Sequence, residues 1–178
     1  MRTITIVAIA AAAAAGIIAI AIMYVNPSTL ATSEPETKQQ DLAVGVATLS
    51  NNGFRQVKIT VNGVDLVADI AETGDQQSKG LSVKDILNEN EAMLFPFKKE
   101  GQHTFWMKGM KFPIDIIWID SYKEVVHIEH SLDPCVPNSF CPTYTPSERS
   151  FYVLETAAGF AAKYNVTEGT PVEFELDE

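Results

Sequence analysis

This chain has little positive charge, cysteine or histidine. Thirteen Lys and Arg stand against 23 Asp and Glu, for a formal net charge of −10. Nucleic-acid binding rests on Lys and Arg displacing counterions from phosphates, so this balance argues against that class of partner. Two cysteines in 178 residues are too few for a disulfide-built scaffold. There is no HExxH, no Gly-rich phosphate loop, no nucleotide fingerprint and no Ser-His-Asp order. Only one long apolar run occurs, which excludes a polytopic membrane protein. The rest of the composition excludes a collagen-like or wholly disordered chain.

What is there divides in two. Of the first 25 residues, 21 are hydrophobic, and residues 3–33 carry no charge. Ile4 to Val25 is broken only by Thr5 and Gly16. As a helix that stretch reaches about 33 Å, enough for a hydrocarbon core of about 30 Å. The sequence therefore predicts one transmembrane anchor over residues 4–25, with the lipid bilayer as its partner. Arg2 precedes the span, and Glu34 and Glu36 are the first charges after it. The positive-inside bias puts the N-terminus in the cytoplasm and the remainder outside, in a single-pass arrangement at the cell membrane. The alternative is a signal peptide cleaved near Ala31, giving a secreted protein; its apolar region is ordinarily about 7–15 residues, shorter than this one. Residues 26–50, polar and containing Pro27 and Pro35, read as a flexible tether. Residues 51–178 make one domain of ordinary size.

That domain reads as mostly strand. Val57–Val61 and Val64–Asp69 flank Asn62-Gly63, the pair that supplies both positive-φ positions of a type I′ turn. The two-residue loop pairs Val61 with Val64, Ile59 with Leu66 and Val57 with Ala68, so six apolar side chains share one face. Ser82 is placed to cap a short helix carrying Val83, Ile86 and Leu87. Ala92–Phe97 is extended, with Pro96 at a strand end or sheet edge. Ile114–Ile119 is apolar on both faces, as a doubly covered strand is. Further strands are expected at His103–Met107, Glu124–His130, Phe151–Glu155 and Val172–Leu176, with a short helix over Thr156–Asn165. The expected class is mainly β (α+β), sandwich or barrel-like, with one or two short helices.

A family resemblance rests on Lys79-Gly-Leu, Met93-Leu-Phe, Phe105-Trp-Met-Lys108, Pro113-Ile-Asp-Ile116, Val153-Leu-Glu-Thr-Ala-Ala-Gly159 and Gly169. In order and spacing these resemble the domain of unknown function 192 family, across residues 57–176. The resemblance implies a compact, jelly-roll-like β-sandwich and no particular reaction. The chain departs from the family pattern at Gly109-Met110, where Asn-Thr is usual, and at Ser82, where Met is usual.

Several residues are candidates for chemistry. Cys135 and Cys141, in a Pro-dense loop, predict a disulfide; a redox or metal pair would want Cys-x-x-Cys spacing or a nearby His. Asp115, inside the most apolar strand, is either a buried general acid or base, or an acceptor that pins a loop. Glu155 either caps the following helix or joins Asp115 as a catalytic pair on envelope saccharide or peptide. Trp106, Lys108 and Tyr144 are candidate ligand contacts in an aromatic cluster that also holds Phe105, Phe112 and Trp118. His103, Met107 and Met110 offer a copper set, thioethers suiting Cu(I); core packing is the commoner use of buried Met. No cofactor is implied. The favoured function is a non-enzymatic, membrane-tethered domain that binds a small molecule or an envelope component.

Overall fold

The computed structural model describes residues 50 and 53–176. The anchor at 4–25, and all but the last residue of the 26–50 tether, lie outside the described residues. Among those described, no helix is long and apolar enough to cross a membrane.

The N-terminal hairpin forms in the register its sequence dictates. Strand β1 (Arg55–Val61) and strand β2 (Val64–Ile70) pair antiparallel, with Val61 opposite Val64, Ile59 opposite Leu66 and Val57 opposite Ala68. Asn62 and Gly63 take φ of 48° and 78°, the left-handed pair that a type I′ turn needs. Ile59, Val61, Leu66 and Ala68 are buried in one core cluster, while Lys58 and Asp65 form an ion pair on the other face.

Strand β3 (Glu91–Gly101) runs parallel to β2, and a parallel pair needs a crossover. The crossover holds helix α1 (Gly74–Lys79), continued by a 3₁₀ turn over Gly80–Val83. Thr73 caps α1 in a capping box with Gln76: the Thr73 hydroxyl accepts from Gln76 N–H, and the Gln76 side chain accepts from Thr73 N–H. The cap thus lies nine residues before the expected one, Ser82, which instead donates its hydroxyl to the Lys79 carbonyl within the 3₁₀ turn. Ile86, expected in that short helix, lies outside any helix and is exposed. The signal that decides the start, Thr-x-x-Gln, is present in the sequence but is followed by no apolar stripe.

Strands β4 (Phe105–Trp106) and β7 (Thr143–Tyr144) pair as a small separate ribbon. The others, β5 (Ile114–Ile119), β6 (Val125–Leu132), β8 (Ser150–Ala157) and β9 (Val172–Glu173), complete a seven-stranded sheet in the order β6-β5-β8-β3-β2-β1-β9. Pro96 falls just beyond the last residue paired with β2, so its missing N–H breaks no ladder bond there. The fold is mainly β with few short helices, as expected. The sandwich of two comparable sheets is not what forms: seven strands join in one sheet, and the sheet curls. Its far edges meet where Val125 N–H donates to Thr170 O (3.0 Å) and Val172 N–H to Lys123 O (2.8 Å). Curling encloses a core that includes Ile59, Leu94, Ile117, Leu154 and Phe160. A second core, with Met93, Phe95, Met107, Ile116 and Trp118, lies on the opposite sheet face under the 97–112 segment and the ribbon. Strand β5 serves both and is buried throughout, which explains its unbroken apolar sequence.

Candidate functional site

Asp115 and Glu155 occupy neighbouring central strands but opposite faces of the sheet. The β5–β8 register sets Asp115 opposite Thr156 and Ile116 opposite Glu155. Side chains alternate along a strand, so Asp115 points toward the enclosed core and Glu155 away from it.

Asp115 is fully buried and fully engaged. Oδ1 accepts the backbone N–H groups of Ser131 (2.7 Å) and Gly159 (3.0 Å), and Oδ2 accepts that of Ala161 (2.8 Å). Gly159 has φ of 83° and leads into helix α2 (Phe160–Lys163). The carboxylate therefore caps α2 from across the sheet and holds the β6 bulge at Ser131. Glu155, expected as the α2 cap, faces the other way. The proposed catalytic pair is not assembled, because strand alternation separates its members.

Glu155 is the exceptional group. Its residue is 4% exposed, and its Oε2 has no hydrogen-bond partner. The Leu81 N–H donates to the carboxyl group, yet burial outweighs it and raises the pKa from the ordinary 4.5 to about 8. No described ion pair includes it. A pocket of about 290 Å³ opens in front of it. One wall comes from α1 and its 3₁₀ continuation, with Gln77, Ser78, Lys79, Gly80 and Leu81. Phe95 and Phe97 of β3 form a second wall. A third comes from the segment Thr104, Phe105, Trp106, Lys108 and Met110, with Thr143 of β7 beside it. Phe105 stands edge-on to Phe95 at 5.0 Å and to Phe97 at 6.4 Å, so three rings brace one another.

Local chemistry fixes each wall. Gln77 Nε2 donates to Ala71 O (3.2 Å) and Pro96 O (3.1 Å), tying α1 to the end of β2 and the middle of β3. Gly80 has φ of 49° and ψ of −145°, a conformation closed to L side chains, and a Cβ there would lie 3.7 Å from Glu155 Oε2. Trp106 is half exposed at the mouth, and Lys108 Nζ lies 5.9 Å from its ring centre. Lys79 is paired with Asp75 at 2.7 Å.

Of the other expected site residues, Trp106 and Lys108 line this pocket. Tyr144 pairs with Phe105 in the ribbon and packs half-buried against the outer core, while its neighbour Thr143 reaches the pocket. The three residues of the copper set have different surroundings. His103 stacks on Phe97 at 3.5 Å, and Nε2 contacts Lys99 O at 3.2 Å; burial holds the ring below its ordinary pKa. Met107 is sealed in the outer core, and Met110 contributes to the pocket wall. Among the described residues no cluster of three His, Cys, Asp or Glu could hold a metal. Cys135 and Cys141 are bonded, with their Cα atoms 5.3 Å apart, and Cys135 N–H donates to Met107 O.

Phe97, Gln77 and Thr143 were not singled out by sequence, and Gly80 and Phe95 only as members of segments that carry the family resemblance. Four of the segments that carry the family resemblance meet at this pocket: Lys79–Leu81, Met93–Phe95, Phe105–Lys108 and Val153–Gly159. Two positions of departure are neighbours, since a Cβ on Gly109 would lie 3.7 Å from Ser82 Cβ.

Comparison with known proteins agrees with that likeness. A UPF0127 protein of Thermococcus gammatolerans is 28% identical over 112 residues, covering 62% of this chain and 67% of its own. A crystal structure of a protein of unknown function from Novosphingobium aromaticivorans matches with a TM-score of 0.65 and 28% identity, over 74% of this chain and 94% of that one. A Sinorhizobium meliloti protein, provisionally described as a transcription regulator, shares the fold with a TM-score of 0.63 at 24% identity, over 68% of this chain and 95% of that one. The profile of one family matches residues 57–174, two thirds of the chain, and the protein belongs to it: the DUF192 family, described as Uncharacterized ACR.

Proposed function

We propose that this is a non-enzymatic binding domain, held outside the cytoplasm on the 4–25 anchor, which takes a small organic molecule into the pocket in front of Glu155. The observation that carries the reading is the buried Glu155 carboxyl, its Oε2 unpartnered, in the lining of an aromatic-walled pocket. A buried polar atom without a partner costs about 1–3 kcal/mol, and a ligand group placed there recovers that loss. Apolar walls with a few convergent polar groups are the usual make-up of small-molecule sites. Hydrolysis with Asp115 and Glu155 is disfavoured, because the lining contains one carboxyl group and Asp115 is committed to three backbone donors.

The test is a fragment screen on the full chain, read by nitrogen-edited NMR. The two indoles form an internal pair: Trp106 stands at the mouth, and Trp118 is sealed with its N–H on His103 O at 2.8 Å. Binding fragments should move the Trp106 indole and the Leu81 amide, leave the Trp118 indole in place, and lose affinity in Trp106→Ala. A library that moves neither Trp106 nor Leu81 would refute the reading.

A further inference from the structure

The pocket has a particular charge logic. Its lining holds one carboxyl group, that of Glu155 with an unpartnered oxygen, and the rings of Phe95, Phe97, Phe105 and Trp106 stand opposite the wall from α1. A carboxylate at the end of an aromatic slot suits an ammonium group, which the ring faces attract and the oxygen accepts from. Trp106 already has a cation, Lys108 Nζ, 5.9 Å from its ring centre. Outside the pocket the field agrees: over residues 51–178, 11 Lys and Arg face 20 Asp and Glu, a balance that draws cations toward the domain.

We infer that the site takes a primary organic ammonium ion with an aromatic or apolar body, its N–H groups on Glu155 and its body between Phe95, Phe105 and Trp106. This deepens the binding reading above and depends on it. The charged groups facing the pocket are Lys79 from α1 and Lys108 from the segment after β4; β3 presents Phe95 and Phe97, and β7 presents Thr143. Lys79 is neutralised by Asp75, and Lys108 lies out on the Trp106 ring. Neither forms an ion pair with Glu155 among the described residues, so the carboxyl keeps its proton in the empty pocket at neutral pH. An entering ammonium ion stabilises the carboxylate, and the proton leaves to solvent. One proton is released per ligand bound, and affinity rises with pH until the empty site ionises near 8.

Benzylammonium and benzyl alcohol are matched probes of nearly equal size that differ in charge. Both are titrated into the full chain from pH 5.5 to 8, following the Trp106 indole, with calorimetry in buffers of different ionisation heat to count protons. The expected result is tighter binding of benzylammonium at pH 8, an affinity falling about tenfold per pH unit below that, and about one proton released at pH 6. Glu155→Gln should abolish the proton release and the preference for the ammonium ion while keeping benzyl alcohol binding. Lys108→Gln should tighten benzylammonium binding by removing a like charge. If benzyl alcohol binds as well or better, and weakens as pH rises toward 8, the pocket stands but the ammonium class is overturned: Glu155 then serves as a protonated donor. If neither probe moves Trp106 and the fragment screen is also silent, the binding reading itself falls.

Discussion

Glu155→Gln should stabilise the protein at neutral and alkaline pH, although it removes a charged residue type from the centre of the sheet. The Glu155 carboxyl titrates at about 8 in the folded chain and near the ordinary 4.5 once unfolded. Below the lower value both states are protonated, and the group has no effect on the balance. Between the two values the unfolded chain gives up its proton while the folded one keeps it. The folded state then binds more protons, so stability falls with rising pH, by about 1.4 kcal/mol per unit. Above the folded value both states are ionised and the loss levels off, at roughly 5 kcal/mol across the full interval. Glutamine keeps the shape and an oxygen for the Leu81 N–H but does not titrate. Urea unfolding of the intact chain and of Glu155→Gln, at half-unit steps from pH 4 to 9, isolates this one group from other carboxylates. The two should agree within about 1 kcal/mol near pH 4, and the variant should be several kcal/mol more stable at pH 8. Parallel curves over the whole range would refute the claim that Glu155 is buried without a compensating cation. A residue that weakens the fold at working pH is the kind of feature retained for a site rather than for stability.

Asp115→Asn places an N–H₂ group against backbone donors that now share a carboxylate; unfolding free energy should drop by about 3 kcal/mol or more, and an unchanged midpoint would remove its capping role. Replacing both Cys135 and Cys141 with Ser opens a seven-residue loop, worth about 2.4 kcal/mol or less in the chain-entropy account. That variant should keep its fold by circular dichroism, and loss of folding would mean that the loop does more than shape the approach to β7. Carbonate-washed membranes should retain the intact chain in the pellet, whereas a released protein beginning near Thr32 would establish signal cleavage in place of the anchor.

The sequence alone determined what depends on near neighbours in the chain. Asn62-Gly63 and the alternating apolar residues around it set both turn type and register, because a period of two leaves only one pairing that buries one face. Ile114–Ile119 read as covered on both sides, and it is. The paired cysteines, six apart, were legible for the same reason. Even α1 had its capping box in the sequence, obscured by the more apolar residues downstream.

The tertiary structure decided the rest. Asp115 and Glu155 are alike in sequence terms, each a carboxylate in an apolar strand. Only the order of strands, and what covers each face, makes one a cap satisfied by three backbone donors and leaves the other with an unpartnered oxygen. The pocket draws its walls from α1, β3, the segment around β4 and β7, with its floor on β8, so no local pattern encloses it. The joining of seven strands into one curled sheet likewise rests on contacts between segments more than 40 residues apart, such as Val125 with Thr170. Local propensity writes the strands, but long-range packing chooses which side of each strand meets solvent, core or cavity.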